Sequence, residues 1–374
     1  MPAATIDRKP SSTDRVFNFS AGPGCLPEPV LHQIQNDIWN IFDSGVGVLE
    51  HSHRGPAIDR VFAEAEADLR ALANIPDSYK VIWCTGGASQ QFFQIPMNFL
   101  AKGQTADYIN TGVWATKAIK EAKAFGAAHV AASSEDKNFN YIPDPSSFKF
   151  SPSPRYLHFT TNNTIFGTEF RAEPVAPKGV PLIADASSDI FSKPIDVSKY
   201  AFIYAGAQKN LGPAGVTLII AREDFLNTAT DSGIPSLLQY RALAKEDSRL
   251  NTPPVFSIYA VGQVLKWIRS EGGLSAMAER NAAKAAVIYD YLDASKLFKP
   301  FAEKNSRSLM NITFNLPSED LEKKFCAEAA KAGLDGLKGH RSTGGMRASV
   351  YNAFPIEGAR ALVRFMEKFE KNAR

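Results

Sequence analysis

The sequence predicts an α/β fold, with a large domain on a mostly parallel seven-stranded sheet and a smaller α+β C-terminal domain. Three observations carry the expectation. Between Tyr79 and Ala221, short apolar runs alternate with longer helical patterns, the rhythm of βαβ units. Seven of those runs are strand candidates (residues 80–83, 107–109, 127–130, 156–159, 182–184, 201–204 and 216–220), and their largely continuous apolar character suits strands covered on both faces. After Gly272-Gly273 the composition changes to Ala-rich helix.

Within the first part, residues 89–100 and 114–125 read as the helices that follow the first two strands. The Pro- and Ser-rich stretch 144–154 reads as a surface excursion, because the same rhythm continues on both sides of it. In the second part Leu274, Met277, Ala285, Ile288 and Leu292 recur at helical spacing, residues 309–314 read as a strand, and residues 357–371 place Leu362, Phe365, Met366 and Phe369 on one stripe. The expected division is therefore a loose tail over residues 1–15, a large domain over 16–271 and a small one over 272–374, with the segment to about residue 28 free to pack with the small domain.

Composition narrows the functional class. A chain of 374 residues is long for one core, and a net charge of +3 (42 basic against 39 acidic residues) leaves no general nucleic-acid footprint. Three separated cysteines, Cys25, Cys84 and Cys326, form no CxxC and no disulfide framework, which points to the reducing cytoplasm. No apolar run approaches the roughly 20 residues of a membrane span. The tail has no apolar signal core, and Asp7 and Asp14 argue against an organellar transit peptide.

Chemistry is suggested by strand ends. Lys209 lies in the small-residue loop Tyr204-Ala-Gly-Ala-Gln-Lys-Asn-Leu-Gly-Pro-Ala-Gly215 between two strand candidates, and the run 182–184 ends on Asp185. A lone loop lysine is more often simply solvated, but an amine and a carboxylate at neighbouring strand ends are what pyridoxal phosphate chemistry uses, one for the aldehyde and one for the pyridine nitrogen. Gly86-Gly87-Ala88-Ser89 follows a strand and opens a helix, either as a phosphate cradle or as a plain chain reversal. Trp114 either stacks on an aromatic ligand or packs its own helix, and Thr164 either bonds a ligand or shapes its turn. Two clusters, His51-Ser-His-Arg54-Gly and Lys338-Gly-His-Arg341-Ser-Thr-Gly-Gly-Met-Arg347, offer forked guanidinium groups to carboxylate or phosphate, or serve as surface ion-pair partners. The histidines lack HxxxH or HExxH spacing, so no metal site is expected.

Taken in order, Asn18-Phe-Ser-Ala-Gly-Pro23, Ser52-His-Arg-Gly55, Gly86-Gly-Ala-Ser89, Tyr204-Ala-Gly-Ala-Gln-Lys-Asn210, Asn251-Thr-Pro-Pro254, Lys338-Gly-His-Arg341 and Gly345-Met-Arg-Ala-Ser-Val-Tyr-Asn-Ala353 resemble the phosphoserine aminotransferases, class V members of the fold-type I pyridoxal-phosphate enzymes. The resemblance runs from about Asn18 to the C-terminus. It implies a pyridoxal 5′-phosphate cofactor, with Lys209 as its Schiff-base lysine and Asp185 paired to the ring nitrogen. Ala88, Ser89 and Gln208 then correspond to phosphate-binding positions, Trp114 to the stacking residue, Thr164 to a contact near the ring 3′-oxygen, and Asn251 and Thr252 to contacts with the cofactor phosphate of a neighbouring subunit. Arg347 corresponds to the α-carboxylate anchor, and His53, Arg54, His340 and Arg341 to the grip on the substrate's second anionic end.

The implied reaction moves an amino group between L-glutamate and 3-phosphohydroxypyruvate, giving 2-oxoglutarate and O-phospho-L-serine in a homodimer that uses neither nucleic acid nor membrane. It belongs to serine biosynthesis, with the phosphohydroxythreonine step of pyridoxine synthesis as a further substrate left open. Asn163 and Ala21 depart from residues common in the family. The alternatives are another class V enzyme, such as an alanine–glyoxylate aminotransferase or a cysteine desulfurase, and a non-catalytic anion-binding module. A desulfurase needs a mobile nucleophilic cysteine, whereas Cys326 sits in an apolar helical stretch.

Overall fold

The computed structural model describes residues 15–341 and 343–372. The expected loose tail falls, apart from Arg15, outside the described residues. Strand β1 (Phe17–Asn18) leads into helices α1 (Glu28–Asp37) and α2 (Pro56–Ala73), and the chain then enters the large sheet. Its first strands and their helices are β2 (Tyr79–Cys84), α3 (Gly87–Phe99), β3 (Thr105–Asn110), α4 (Val113–Ala122), β4 (Ala127–Ser133) and β5 (Pro154–Thr160). A short hairpin, β6 (Asn162–Asn163) and β7 (Thr168–Glu169), precedes β8 (Leu182–Asp185), β9 (Phe202–Gly206) and β10 (Thr217–Arg222).

The seven strands lie in the order β2-β10-β9-β8-β5-β3-β4. All neighbours from β9 to β4 run parallel, and β10 is antiparallel to both β2 and β9. That order puts the carboxyl ends of β3, β5, β8 and β9 on one edge, where open α/β sheets bind ligands. Each expected strand is present, extended by a residue or more at one or both ends. Pro154 opens β5 instead of ending the excursion, which can happen because a first strand residue need not donate a ladder hydrogen bond.

Two apolar layers cover the sheet. Ile82, Phe92, Ile95, Ile183, Phe202 and Ile219 join α3 and α4 to one face, and Val61, Leu69, Leu157, Ile203, Ile258 and Leu265 join α2 and α7 (Val255–Ser270) to the other. The short helices α5 (Glu223–Leu226) and α6 (Tyr240–Lys245) connect β10 to α7. Beyond α7, helix α8 (Gly273–Ala294), strands β11 (Lys299–Pro300) and β12 (Asn311–Asn315), helix α9 (Glu319–Lys331), strands β13 (Leu334–Asp335) and β14 (Met346–Ser349) and helix α10 (Ile356–Asn372) follow. β12 pairs with both β11 and β14, forming a three-stranded antiparallel sheet. A separate core gathers Ala285, Ile288, Phe298, Phe314, Phe325, Leu362, Met366 and Phe369 together with Phe19 from the start of the chain. Cys326 packs against this core on α9. Phe19 reaches it because β1 pairs in parallel with β13. Among the described residues no helix is long and apolar enough to cross a membrane.

Candidate active site

Lys209 lies in a turn that begins where β9 ends, closed by the Leu211 and Gly212 N–H groups bonding to the Ala207 carbonyl at 3.1 and 2.9 Å. Its ammonium donates to Thr164 Oγ1 at 2.6 Å and stands 5.2 Å from the centre of the Trp114 ring. The segment from Ala21 to Gly24 crosses directly over it. Gly24 N–H bonds to the Gln208 carbonyl at 2.8 Å, and a side chain at Gly24 would bring its Cβ to 2.7 Å from the Lys209 carbonyl oxygen, so this close approach requires glycine.

Asp185 closes β8 on the strand beside β9 and is 3% exposed. Burial raises its pKa, while the Lys209 charge, the Ser187 hydroxyl and N–H, and the Tyr204 hydroxyl all favour the anion. Ser187 commits both its donors to one oxygen, Oδ1, at 2.6 and 3.0 Å. Burial pushes the Lys209 amine the other way, down to about 8, against the pull of Asp185 and with the help of Arg347. A lysine so placed spends an appreciable fraction of its time as a free amine near neutrality.

The turn between β2 and α3 puts Gly86 and Gly87 at φ of 88° and 66°, and no side chain caps the helix that follows. Its first N–H groups therefore point outward with the positive end of the helix. Gln208 borders the same space: a Cβ added at Gly206 would lie 2.9 Å from Gln208 Oε1 and 3.5 Å from Ala88 N. A buried carboxylate, an uncapped helix start bordered by Gln208 and the bare Gly206, and a lysine with a lowered pKa fit the pyridine nitrogen, phosphate and aldehyde of pyridoxal 5′-phosphate.

The substrate side is cationic. Arg347 on β14 donates from Nη1 to the Thr164 carbonyl at 3.1 Å, so Thr164 joins the lysine and the arginine through its two oxygens. Burial, and then the charges of Arg347, Arg341 and Lys117, lower the His340 pKa. Lys117, one turn beyond Trp114 on α4, lies over the same indole at 4.8 Å.

The family model described as aminotransferase class-V matches residues 16–362. The phosphoserine aminotransferase of Desulfotalea psychrophila is 51% identical over 359 residues, covering 96% of this chain and 99% of the relative. Among solved structures, the phosphoserine aminotransferase of Bacillus circulans subsp. alkalophilus aligns at a TM-score of 0.94 and 48% identity, covering 96% of this chain and 100% of that one. That of Trichomonas vaginalis, solved with bound pyridoxal phosphate, aligns at 0.90 and 36% identity, covering 94% and 100%. The chain belongs to the phosphoserine aminotransferase family.

Membership of the phosphoserine aminotransferases fixes the fold as fold-type I and the cofactor as pyridoxal 5′-phosphate. Of the positions matched to that family, Lys209, Asp185, Thr164, Trp114, Gln208, Ala88, Arg347, His340 and Arg341 are linked by the contacts, close approaches and charge interactions above, and Ser89 is exposed beside Ala88 at the start of α3. The other four stand apart. His53 and Thr252 line a different cleft, of about 350 Å³, with Val48, Leu49 and His51, and Arg54 Nη2 donates to the Arg249 carbonyl at 3.4 Å. Asn251 borders a cleft with Thr85 and Gln90, just before the Gly86-Gly87 turn. Among the described residues, no hydrogen bond or ion pair joins His53, Arg54, Asn251 or Thr252 to the Lys209 cluster. Asn163, the family departure, is a structural brace: its amide donates to Thr111 and Thr168 hydroxyls at 3.1 and 3.2 Å.

Sequence reading missed Ser187, whose position two residues past Asp185 was the available signal, and Tyr204, which reads as one more core aromatic in an apolar strand. The lowered Lys209 pKa has a measurable consequence for this phosphoserine aminotransferase. Below about 8 the ammonium must lose its proton before it attacks an aldehyde. Capture of pyridoxal phosphate by cofactor-free protein, followed by stopped-flow absorbance, is expected to accelerate about tenfold per pH unit below that value and to level off above it. A lysine at its ordinary value would give a rate still rising at pH 10.

Proposed function

We propose that the protein moves an amino group between L-glutamate and 3-phosphohydroxypyruvate, giving 2-oxoglutarate and O-phospho-L-serine. The observation that carries this reading is the placing of Lys209 between the Asp185 carboxylate and Arg347, with His340 and Arg341 extending the basic group beyond Arg347. Bound pyridoxal 5′-phosphate supplies the electron sink that lets an amino acid lose its Cα proton. The chain's residues do the rest. The Lys209 amine takes that proton, being tethered and unprotonated for part of the time, and Thr164 orients it. Asp185 holds the pyridine nitrogen, and the α3 start with Ala88, Ser89 and Gln208 holds the phosphate. Trp114 covers the ring, Arg347 grips the α-carboxylate in two-pronged fashion, and His340 and Arg341 meet the distal anion. Both substrates carry an anion at each end, so one cationic site serves them in turn.

His53, Arg54, Asn251 and Thr252 belong to the partner's site in a homodimer with shared active sites. Support comes from their separation from Lys209 and from the apolar surface beside them: Trp39 is 79% and Leu49 59% exposed, and Val48 N–H bonds to the Asp37 carbonyl at 2.8 Å, which brings the two stretches together. The same reading divides the chain into residues 16–271 and 272–374, with the residues up to about 28 packing on the smaller part, in keeping with the separate core around Phe19. It also places the protein in the cytoplasm, in keeping with three free cysteines.

The test is a pair of half-reactions. Glutamate should bleach the visible band of the loaded protein and 3-phosphohydroxypyruvate should restore it. Arg341→Ala should lower kcat/KM for the phosphorylated substrate by about 10- to 100-fold while leaving alanine turnover near its starting value. Equal losses for both would overturn the assignment of the distal anion.

A further inference from the structure

Three neighbouring parallel strands carry a buried polar chain that ends on Asp185. His158 is on β5, Asp185 on β8 and Tyr204 on β9. Asp185 and Tyr204 are register partners, and His158 lies opposite Ile183, two residues before Asp185, so all three side chains leave the same face of the sheet. His158 Nε2 is 2.9 Å from the Tyr204 oxygen, and the Tyr204 hydroxyl, carried by the register partner of Asp185, favours the anionic form of that carboxylate. His158 is 2% exposed and Tyr204 fully buried, and His158 Nδ1 is a buried atom without a hydrogen-bond partner.

Proton counting decides the direction of the chain. Tyr204 has one hydroxyl proton. If it were given to His158 Nε2, the tyrosine oxygen would face the carboxylate with lone pairs only, and His158 would keep its proton on Nδ1, leaving an orphaned buried N–H. If it is given to Asp185, the tyrosine oxygen accepts from His158 Nε2–H and the bare nitrogen is Nδ1, a lesser penalty because an under-satisfied acceptor is better tolerated than an orphaned donor. The second arrangement satisfies every donor. Burial supports it from both ends, pushing His158 down to about 3, so it stays neutral, and pushing Tyr204 well above its ordinary value, so it keeps its proton to donate.

We propose that His158 and Tyr204 are positioning residues that act through Asp185, with neutral His158 donating from Nε2 to the Tyr204 oxygen and Tyr204 donating to the carboxylate. The inference rests on the role given to Asp185 above. Burial raises the Asp185 pKa, against the anionic form that a protonated ring nitrogen needs as its partner. The Tyr204 donor favours the anion without adding a charge beside Lys209. His158 fixes the rotation of the Tyr204 hydroxyl, which would otherwise have no partner on its far side.

The test uses holoenzyme loaded with pyridoxal phosphate labelled with ¹⁵N in the ring. Tyr204→Phe keeps the ring and removes the donor. The expected result is a ring-nitrogen shift displaced toward the unprotonated form and a cofactor dissociation constant raised about tenfold. His158→Phe should move the signal the same way by less, His158→Gln, whose amide can donate in place of Nε2–H, should return it toward the starting value, and the Tyr204→Phe/His158→Phe pair should be no worse than Tyr204→Phe alone. A folded Tyr204→Phe holoenzyme with an unchanged nitrogen shift overturns the relay, as does a His158→Gln signal no better than that of His158→Phe. An unprotonated ring nitrogen in the unaltered enzyme would overturn the Asp185 assignment together with the relay, so the two failures are told apart.

Discussion

Lys209→Ala is expected to bring transamination to the detection limit while leaving the fold intact. The side chain makes one hydrogen bond, to Thr164, and keeps some solvent exposure, so its removal leaves no large apolar void. Its chemical loss is twofold. The visible band of covalently held cofactor should disappear, because Lys209 is the amine that both feels the Asp185 charge and stands over the Trp114 ring. Proton transfer at the substrate Cα loses its tethered base, which by itself is worth about 10²- to 10⁴-fold. Single-turnover absorbance with added cofactor and glutamate measures both losses. A variant that still cycled at more than about 1% of the normal rate would place the base elsewhere.

Arg347→Ala is the second large effect, and it should fall on both substrates alike. Two charge-assisted hydrogen bonds at roughly 1.5–3 kcal/mol each correspond to about 10²- to 10⁴-fold in kcat/KM. The guanidinium is partly buried and anchored to the Thr164 carbonyl, and burial lowers its pKa; arginine side chains stay charged across the working range. Arg347→Lys should recover only part of the loss, since an ammonium offers no planar fork. Steady-state kinetics on glutamate and on phosphoserine in the reverse direction compare the two. Loss confined to one substrate would mean that Arg347 binds a distal group and not the shared α-carboxylate.

The sheet was legible mainly through β8, β9 and β10, which are buried along nearly their whole length and so appear as apolar runs, whereas the edge strand β4 is only partly covered, with Val130 41% exposed. Helix α2 was missed although Ile58, Val61, Phe62, Ala65 and Leu69 carry a helical period, and all five are buried. Helix α7 was harder to find for a physical reason: buried residues run unbroken from Ser257 to Gly262, which blurs the periodicity that a one-sided helix displays. Lys209 and Asp185 stood out because each sits at a strand end beside small residues. What the chain order conceals is proximity. Thr164 touches both Lys209 and Arg347 only because the β6–β7 hairpin folds over the sheet edge, and Tyr204 meets Asp185 through a register between strands that no local pattern encodes. The separation of His53, Arg54, Asn251 and Thr252 from Lys209 was equally invisible, since a linear motif does not record which surface it will face.

The crossing of the Ala21–Gly24 segment over Lys209 also has a bearing on how the protein is made. That segment is made roughly three hundred residues before its partners: Phe17 and Asn18 pair with Leu334 and Asp335, and the Ala21 carbonyl accepts from the Tyr351 hydroxyl at 2.6 Å. The large sheet is finished more than a hundred residues before those partners emerge. During synthesis the lysine therefore exists on a folded sheet without its cover, and the covering contacts form only after the C-terminal strands have been released. The cover over Lys209 thus depends on residues 334–351, and a nascent chain stalled before residue 334 would lack these contacts.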